Sequence, residues 1–367
     1  MADGVLLLGG TGVFGRLIAA DLLAHTSLRI TVASRHGIAP RGWLPGSEGR
    51  ISDYRLDARD VTAVRAAIAD SAAGVLVHAA GPYARIGDAP LRAAIACRIP
   101  YVDMCPRSDH FAALRERYHV EAERAGVAAI VGASTAGGLT GILTRHARQT
   151  LPRIDRVRAA ICVHNFVWGA GVVGDYLLLA GRTLPGGRVG GVPARVLFPG
   201  LGVRTVTLAD SLDYVDSAAD AVPDTEYRVG LPDPLPRLGM RTMAAAASAG
   251  LPVWRLARLC GALAGPLGGR YTEGGLLHQA FGSGPDGPGV YETHVYRPYG
   301  NVRNPSLLCA LAAPRLLRGE IAGRGIIHPA HWLAPADLLA ELAARAVVVR
   351  SRFLPAGTPL DQPWPTG

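Results

Sequence analysis

Strand-like and helix-like patterns of apolar residues alternate along the first 132 residues of the chain. Short aliphatic runs predict six strands, over residues 4–8, 29–34, 54–58, 74–80, 99–104 and 126–132. Between them, apolar positions at helical spacing predict helices over 13–25, 59–70, 89–98 and 108–125. Short βα units in series favour parallel strands, right-handed crossovers and helices on both faces. The expected fold class is therefore α/β with a doubly wound parallel sheet.

The pattern changes after about residue 133. We predict strands within 153–166, 202–210 and 287–300, and helices over 169–182, 304–318 and 335–346. Glycine and proline are frequent between residues 185 and 240. We therefore expect three parts: a dinucleotide-binding domain (1–135), an inserted mixed α+β domain for substrate and dimerisation (136–305), and a return that packs on the first domain (306–367).

Residues 241–269 are apolar enough to raise the question of a membrane segment. Pro252, Arg255 and Arg258 interrupt the stretch, so no uncharged run reaches the roughly 18–20 residues that a spanning helix requires. We expect a buried or interface helix, with an amphipathic helix lying on a membrane surface as the alternative. Stable membrane insertion is not expected.

Composition excludes several kinds of chemistry. The chain contains no lysine, so all 38 basic residues are arginine, and a Schiff-base lysine, a P-loop lysine and a Tyr-x-x-x-Lys pair are impossible. The net charge of +9 favours anionic small molecules, but the arginines are scattered, which argues against nucleic acid. Five cysteines without CxxC spacing indicate a reducing compartment, and no secretory signal is recognisable, so we expect a cytoplasmic protein. No motif supports a metal site or a hydrolase.

A glycine-rich turn follows the first predicted strand. Gly9, Gly12 and Gly15 have the spacing GxxGxxG, a variant of the dinucleotide-binding fingerprint between a strand and a helix. Glycine permits a tight turn and close approach of a pyrophosphate, and the helix N-terminus supplies N–H groups to it. The residues predicted to bind the cofactor phosphates are Gly9, Gly10, Thr11, Gly12, Val13, Phe14 and Gly15.

The end of the second strand predicts which dinucleotide binds. Ser34 and Arg35 stand where an NAD site usually has a carboxylate, and a guanidinium there pairs with a 2′-phosphate. The expected cofactor is therefore NADP(H), although Arg35 is alternatively a simple loop arginine. Asp57, after the third strand, either contacts the adenine edge or caps the helix that begins near Asp60.

Further candidates follow the fourth and fifth strands. Gly81 and Pro82, after Ala80, predict a turn at the nicotinamide ribose, which directs Tyr83 and Arg85 toward the reactive end. Tyr83 either donates a proton or shapes the pocket, and Asp103 either orients a substrate amine or caps a helix. His164 is a candidate proton donor, or alternatively a strand-end histidine bonded to backbone. Predicted substrate contacts are Arg85, Arg107 and Trp168, whereas Asp175 is expected to be solvated and His110 to begin a helix.

The motifs "GGTGVFG", "ASR", "HAAGPY", "IPYVDM" and "GASTAGGL" occur in an order that resembles the saccharopine dehydrogenase-like oxidoreductases. The resemblance covers residues 1–145 well and 304–332 fairly. It implies a Rossmann domain interrupted by an α/β substrate domain, NADP(H) as cofactor, often a homodimer, and interconversion of an imine and a secondary amine. It assigns the glycine turn to the phosphates, Arg35 to the 2′-phosphate, Gly81-Pro82-Tyr83 to the nicotinamide loop and Asp103 to the cleft edge.

Two departures limit what the resemblance implies. The branch of the family that forms lysine employs a Lys/His pair, which this lysine-free chain cannot form, and "MCPRSDH" follows "YVD" where many members have a small turn. We therefore expect an NADPH-dependent reductase of a C=N bond formed from an amine and a carbonyl compound, with a substrate other than saccharopine. The alternatives are a ketone or enoyl reductase and a non-catalytic NADP(H)-binding sensor or interaction protein.

Overall fold

The computed structural model describes residues 4–37, 49–162, 175, 178–179, 181–216, 221–230, 234–253, 274–297 and 304–364. The chain forms two compact units. Unit 1 contains Met1–Leu139, Gly169–Asp175 and Arg303–Trp332, and unit 2 contains Thr140–Trp168, Tyr176–Val302 and Leu333–Gly367. Each unit has its own seven-stranded sheet.

Sheet A, in unit 1, is parallel throughout, and its strand order is β15-β6-β5-β4-β1-β2-β3. Its strands are β1 (Gly4–Leu8), β2 (Arg29–Ser34), β3 (Ile51–Arg55), β4 (Ala73–His78), β5 (Tyr101–Asp103), β6 (Ala128–Ile130) and β15 (Gly325–Ile327). All five residues of β1 are buried, as expected of a central strand covered on both faces. The α/β class with a doubly wound parallel sheet is thus confirmed.

Four of the helices between these strands match the predicted ones within a few residues, and the short helix α3 was not predicted. They are α1 (Val13–His25), α2 (Val61–Asp70), α3 (Tyr83–Ile86), α4 (Ala89–Cys97) and α5 (Ser108–Arg124). An irregular turn, Thr135–Leu139, ends this run of the chain. The third strand differs from its predicted position, because β3 lies at Ile51–Arg55 rather than at 54–58.

The carboxy-terminal part of the chain is divided between the units. Helix α8 (Asn304–Leu317) and β15 belong to unit 1, where α8 packs against α1, β4 and β5. Residues 333–367 belong to unit 2, because β16 (Val348–Pro355) pairs antiparallel with β14 (Gly287–Arg297). The expected return over 306–367 therefore ends about residue 332.

Sheet B, in unit 2, is mixed, with the order β10-β11-β12-β7-β13-β14-β16. Its remaining strands are β7 (Arg153–Cys162), β10 (Ala194–Phe198), β11 (Gly202–Leu208), β12 (Asp224–Gly230) and β13 (Gly274–Gly284). Helix α6 (Thr140–Ala147) packs on β13, and α9 (Pro335–Ala344) contacts α6 and β16. A small hairpin, β8 (Thr183–Leu184) with β9 (Gly187–Arg188), and a 3₁₀ turn, Leu212–Val215, complete the described elements.

The alanine-rich segment begins inside helix α7 (Pro234–Ser248). Residues 254–269 lie outside the described part of the chain. Among the described residues, no helix combines the length and the apolar character needed to cross a bilayer.

Candidate functional site

The loop between β1 and α1 is closed by backbone hydrogen bonds. The N–H of Gly9 donates to the carbonyl of Ala33 on β2 at 2.8 Å, and the N–H of Gly12 donates to the Gly9 carbonyl at 2.9 Å. Gly12 is the N-cap of α1 and forms no side-chain capping hydrogen bond. The first turn of a helix leaves N–H groups without intrahelical partners and carries a partial positive charge. The start of α1 is therefore suited to bind an anion.

The glycines of this loop are explained by different physical reasons. A Cβ on Gly9, whose φ is +74°, would lie 2.5 Å from the Cα of Ala80, and a Cβ on Gly15 would lie 2.3 Å from the Gly9 carbonyl oxygen. Gly10 is similarly restricted by Val32 at 2.7 Å. Gly12 is exposed, and its nearest contact would be at 3.2 Å. Packing thus requires three of the glycines, whereas Gly12 leaves the helix terminus open to a phosphate.

The ends of β2 and β3 bring together the residues predicted to bind the adenosine end. Ser34 closes β2, and its Oγ is buried without a hydrogen-bond partner in the described part of the chain. Arg35 follows it on the surface. The Asp57 carboxylate accepts hydrogen bonds from Arg59, which together with the nearby charge of Arg35 lower its pKa to about 2. The capping alternative for Asp57 is wrong, because Asp60 caps α2.

These features fit NADP(H). An uncapped helix terminus suits the pyrophosphate, and an unpartnered serine hydroxyl beside an exposed arginine suits a 2′-phosphate. Asp57 is charged at neutral pH, and its pairing with Arg59 reduces its repulsion of a phosphate.

The predicted nicotinamide loop continues from β4 into α3. Ala79 N–H donates to the Leu8 carbonyl, and the Gly81–Pro82 peptide is cis. The N–H of Tyr83, at the start of α3, donates to both Asp175 carboxylate oxygens at 3.0 and 3.2 Å. Asp175 is buried, and burial raises its pKa to about 6. The expectation that Asp175 is solvated was therefore wrong, since this carboxylate is buried and holds the start of α3 by accepting from the Tyr83 N–H.

The phenol of Tyr83 points into unit 1 and not toward solvent. It donates to the His78 carbonyl at 2.9 Å and lies 3.4 Å from the N–H of Met104, which donates to it. Burial, reinforced by the nearby Asp103, raises the pKa of Tyr83 well above its usual value. A phenol committed to a carbonyl with a raised pKa is a poor proton donor. Of the two interpretations of Tyr83, this arrangement favours the pocket-shaping one over the proton-donating one.

Asp103, at the end of β5, is fully buried and does not lie at an open edge. One carboxylate oxygen accepts from the N–H groups of Cys105 and Gly132, at 3.0 and 2.8 Å. The other accepts from the Tyr101 hydroxyl at 2.8 Å, while the Tyr101 oxygen lies 2.9 Å from Nδ1 of His78. Both the substrate-orienting and the helix-capping interpretations are therefore corrected: Asp103 joins β5 to the turn after β6.

Two polar atoms at the start of α5 have no such partners. Arg107 pairs with Asp109 through Nε at 3.1 Å and Nη2 at 2.7 Å, but its Nη1 is buried and has no hydrogen-bond partner in the described residues. The His110 ring lies 6.0 Å from the Tyr83 ring, and its Nε2 is likewise buried and unpartnered among the described residues. Sequence reasoning placed Arg107 at the site and passed over His110, although only residues 104–107 separate "SDH" from the carboxyl end of β5, where the cofactor is predicted to bind.

The remaining predicted residues are less informative. Arg85 lies on the exposed side of α3. His164 and Trp168 lie outside the described residues. The structure thus places the predicted site residues along the edge of sheet A formed by the carboxyl ends of its strands. The end predicted to bind adenosine contains the glycine loop, Ser34, Arg35 and Asp57. The end predicted to bind nicotinamide contains the Tyr83 loop and Arg107.

Comparison with known proteins agrees with this geometry. Residues 5–130 match the family described as saccharopine dehydrogenase NADP binding domain. The fold is similar to that of apo saccharopine dehydrogenase (L-Glu forming) from Saccharomyces cerevisiae, with a TM-score of 0.68 and 14% identity over 96% of this chain and 100% of that chain. A short-chain dehydrogenase from Streptomyces avermitilis is similar only in part, with a TM-score of 0.28 and 18% identity over 36% of this chain and 65% of that chain.

No curated protein matches the sequence significantly. The family match lies on the strands and loops of sheet A that form the candidate cofactor site, and the fold match extends over nearly the whole chain. Residues 5–130 therefore match an NADP(H)-binding domain of the saccharopine dehydrogenase type, and the chain as a whole has a fold similar to that of saccharopine dehydrogenase.

Proposed function

We propose that this protein is an NADPH-dependent reductase of a C=N bond formed between an amine and a carbonyl compound. The observation that carries the proposal is the match of residues 5–130 to the saccharopine dehydrogenase NADP-binding domain, joined to an adenosine end built for a 2′-phosphate. Bound NADPH supplies a hydride. The chain's own residues have to bind the cofactor, hold the substrate beside it and manage a proton.

Each end of the site has a distinct task. The α1 terminus holds the pyrophosphate, Ser34 and Arg35 hold the 2′-phosphate, and Asp57 lies at the adenine edge. Asp175 fixes the loop that precedes α3 by accepting from the Tyr83 N–H, which orients the wall beside the nicotinamide. Asp103 acts indirectly, by holding the end of β5 in position.

The substrate class follows from Arg107. Its Nε and Nη2 are used by Asp109, while the buried Nη1 retains a donor that no described residue accepts. A carboxylate is the group that a guanidinium N–H recognises best. We therefore infer that the substrate carries a carboxylate near the reacting carbon, as an imine of a 2-oxo acid does. Arg85, His164 and Trp168 remain proposed contacts.

Three finer features accompany the proposal. Residues 136–305 serve substrate binding, the same residues serve homodimer formation, and the protein works in the cytoplasm. Ketone or enoyl reduction is the variant on the same scaffold, and a non-catalytic NADP(H) sensor is the rival from another class. A reductase consumes NADPH with some substrate, whereas a sensor binds NADPH tightly without turnover.

The first test is cofactor binding. NADPH and NADH are titrated into the purified protein, and quenching of the five tryptophans and energy transfer to the nicotinamide are followed. We expect NADPH to bind at least about tenfold more tightly than NADH, equivalent to roughly 1.4 kcal/mol. Arg35→Asp should abolish this preference. Arg117→Asp, the same charge change on an exposed face of α5, should leave it intact.

The second test addresses turnover. NADPH oxidation is measured with methylamine and pyruvate, and with methylamine and acetone, which differ in the carboxylate alone. Faster turnover of the pyruvate pair, lost in Arg107→Gln while NADPH affinity is kept, supports the proposed substrate class. Failure of the protein to bind either dinucleotide would refute the proposal as a whole.

A further inference from the structure

The groups at the nicotinamide end differ in whether they are free to exchange a proton. The Tyr83 phenol donates to a carbonyl, and the Asp103 carboxylate accepts from two N–H groups and one hydroxyl. The chain has no lysine. Two histidines at this end, His78 and His110, have a buried Nε2 without a hydrogen-bond partner among the described residues. The His78 side chain has no exposed surface, and its Nδ1 lies 2.9 Å from the Tyr101 hydroxyl, whereas His110 is half-buried and can be reached by a substrate.

Buried polar nitrogens in folded proteins nearly always have a hydrogen-bond partner, so an unpartnered one needs an explanation. His110 lies in the first turn of α5, and its ring is 6.0 Å from that of Tyr83, the residue that begins α3 behind the Gly81–Pro82 loop. Arg107, with its own unpartnered Nη1, is three residues earlier. Arg107 and His110 thus both begin α5, and each has a buried atom without a hydrogen-bond partner among the described residues.

We propose that His110 is the residue that exchanges the substrate's proton at this site. The inference rests on the proposed function. In reduction, the imidazolium gives the proton of its Nε2–H bond to the substrate nitrogen, where a new N–H bond forms, while the carbon gains the hydride that NADPH supplies. In the reverse direction, neutral Nε2 takes the N–H proton of the substrate amine while the carbon gives up its hydride to the oxidised cofactor, and the C=N bond forms again. Arg107 holds the carboxylate alongside.

The surroundings of His110 suit a group that changes its charge. Burial lowers the pKa of His110, and the Asp103 carboxylate opposes this effect. The charged or titratable groups that act on its ring come from four segments: His78 on β4, Asp88 before α4, Asp103 on β5, and Arg107 and Asp109 at the start of α5. The mixture of signs keeps both protonation states accessible, which a group that donates and accepts requires.

The first readout needs no substrate. Histidine ring signals of the NADP⁺-loaded protein are followed by NMR across pH, and His110 is assigned by the signal missing from His110→Gln. We expect one titration with a midpoint below the ordinary value of about 6.5, because burial disfavours the charged ring. A His110 ring that does not titrate between about pH 4.5 and 8 would overturn the proposal.

The second readout separates this inference from the proposed function. His110→Gln should bind NADPH within about twofold of the wild type, keep its melting temperature, and lose about 10²–10⁴-fold in kcat/KM together with one limb of the pH profile. His25→Gln, on the exposed end of α1, is the matched control and should change neither. Turnover within about threefold of wild type and an unchanged pH profile would assign His110 a purely structural role. Absence of NADPH binding in the wild type would instead refute the proposed function.

Discussion

Acid should destabilise unit 2 through one buried histidine, His278 on β13. This side chain has no exposed surface, and its Nε2 lies 2.9 Å from Oγ1 of Thr144 on α6. Because the Thr144 hydroxyl already donates to the Thr140 carbonyl, Nε2 carries the proton and donates to Thr144. Nδ1 then has no hydrogen-bond partner among the described residues. A second proton would therefore have to enter a site without an acceptor.

Burial, with a smaller contribution from the nearby His146, lowers the pKa of His278 to about 3 from an ordinary value of 6.5. As the pH falls below 6.5, the unfolded chain takes up this proton while the folded chain does not. The free energy of unfolding therefore decreases with falling pH until the folded pKa is reached. Between pH 7 and pH 5, linkage with these two values gives a loss of about 2 kcal/mol from this one histidine.

The measurement compares the wild type with His278→Gln, whose amide can still donate to Thr144. Urea unfolding at pH 7 and pH 5, with hydrogen exchange of the β13 peptides to report on unit 2, gives the free energy of unfolding. We expect the difference between the two proteins to shrink by about 2 kcal/mol from pH 7 to pH 5, whatever its size at pH 7. His25→Gln, at an exposed site, should show no such change. A pH-independent difference for His278→Gln would refute the argument.

Three further predictions follow from local geometry. Gly12→Ala should keep the melting temperature and weaken NADPH binding, whereas Gly15→Ala should destabilise unit 1, because its Cβ would meet backbone at 2.3 Å; melting curves with and without NADPH separate the two. Asp60→Ala, which removes the N-cap of α2, should cost about 1 kcal/mol in urea unfolding. Glu292→Gln breaks a buried ion pair with Arg352 at 2.7 Å and should cost about 3–5 kcal/mol, measured by the same method.

The cofactor half of unit 1 was predictable because its signals are local in sequence. A tight turn needs glycine where the backbone has positive φ or meets another strand, and Gly9 and Gly15 do so within the first 15 residues. The sequence "RITVAS" predicts the strand β2, and the end of this strand predicts the positions of Ser34 and Arg35 without knowledge of the rest of the chain. The family match and the fold match confirm the fold class and the cofactor.

The orientations of the candidate catalytic side chains were not predictable in the same way, because they depend on contacts between residues that lie far apart in the sequence. Tyr83 was expected to face the cofactor, yet its phenol turns back to the His78 carbonyl. Asp175 was expected in solvent, yet it accepts from a backbone N–H 92 residues earlier in the chain. Likewise, nothing in the pattern of 348–355 shows that this strand would pair with β14 and thus leave unit 1.

The same contrast explains why His110 escaped the sequence argument. In the sequence, a histidine in the first turn of a helix is not distinguished from any other residue that begins a helix. The hydrogen bonds of the folded protein distinguish it. The Tyr83 phenol and the Asp103 carboxylate have backbone and tyrosine partners, whereas His110 Nε2 has none among the described residues. Catalytic candidates in a lysine-free chain are therefore better ranked by hydrogen-bonding capacity that the fold leaves unused than by residue type. At the predicted nicotinamide end, this criterion leaves His78, Arg107 and His110, and accessibility then selects the two half-buried ones, His110 for a proton and Arg107 for a carboxylate.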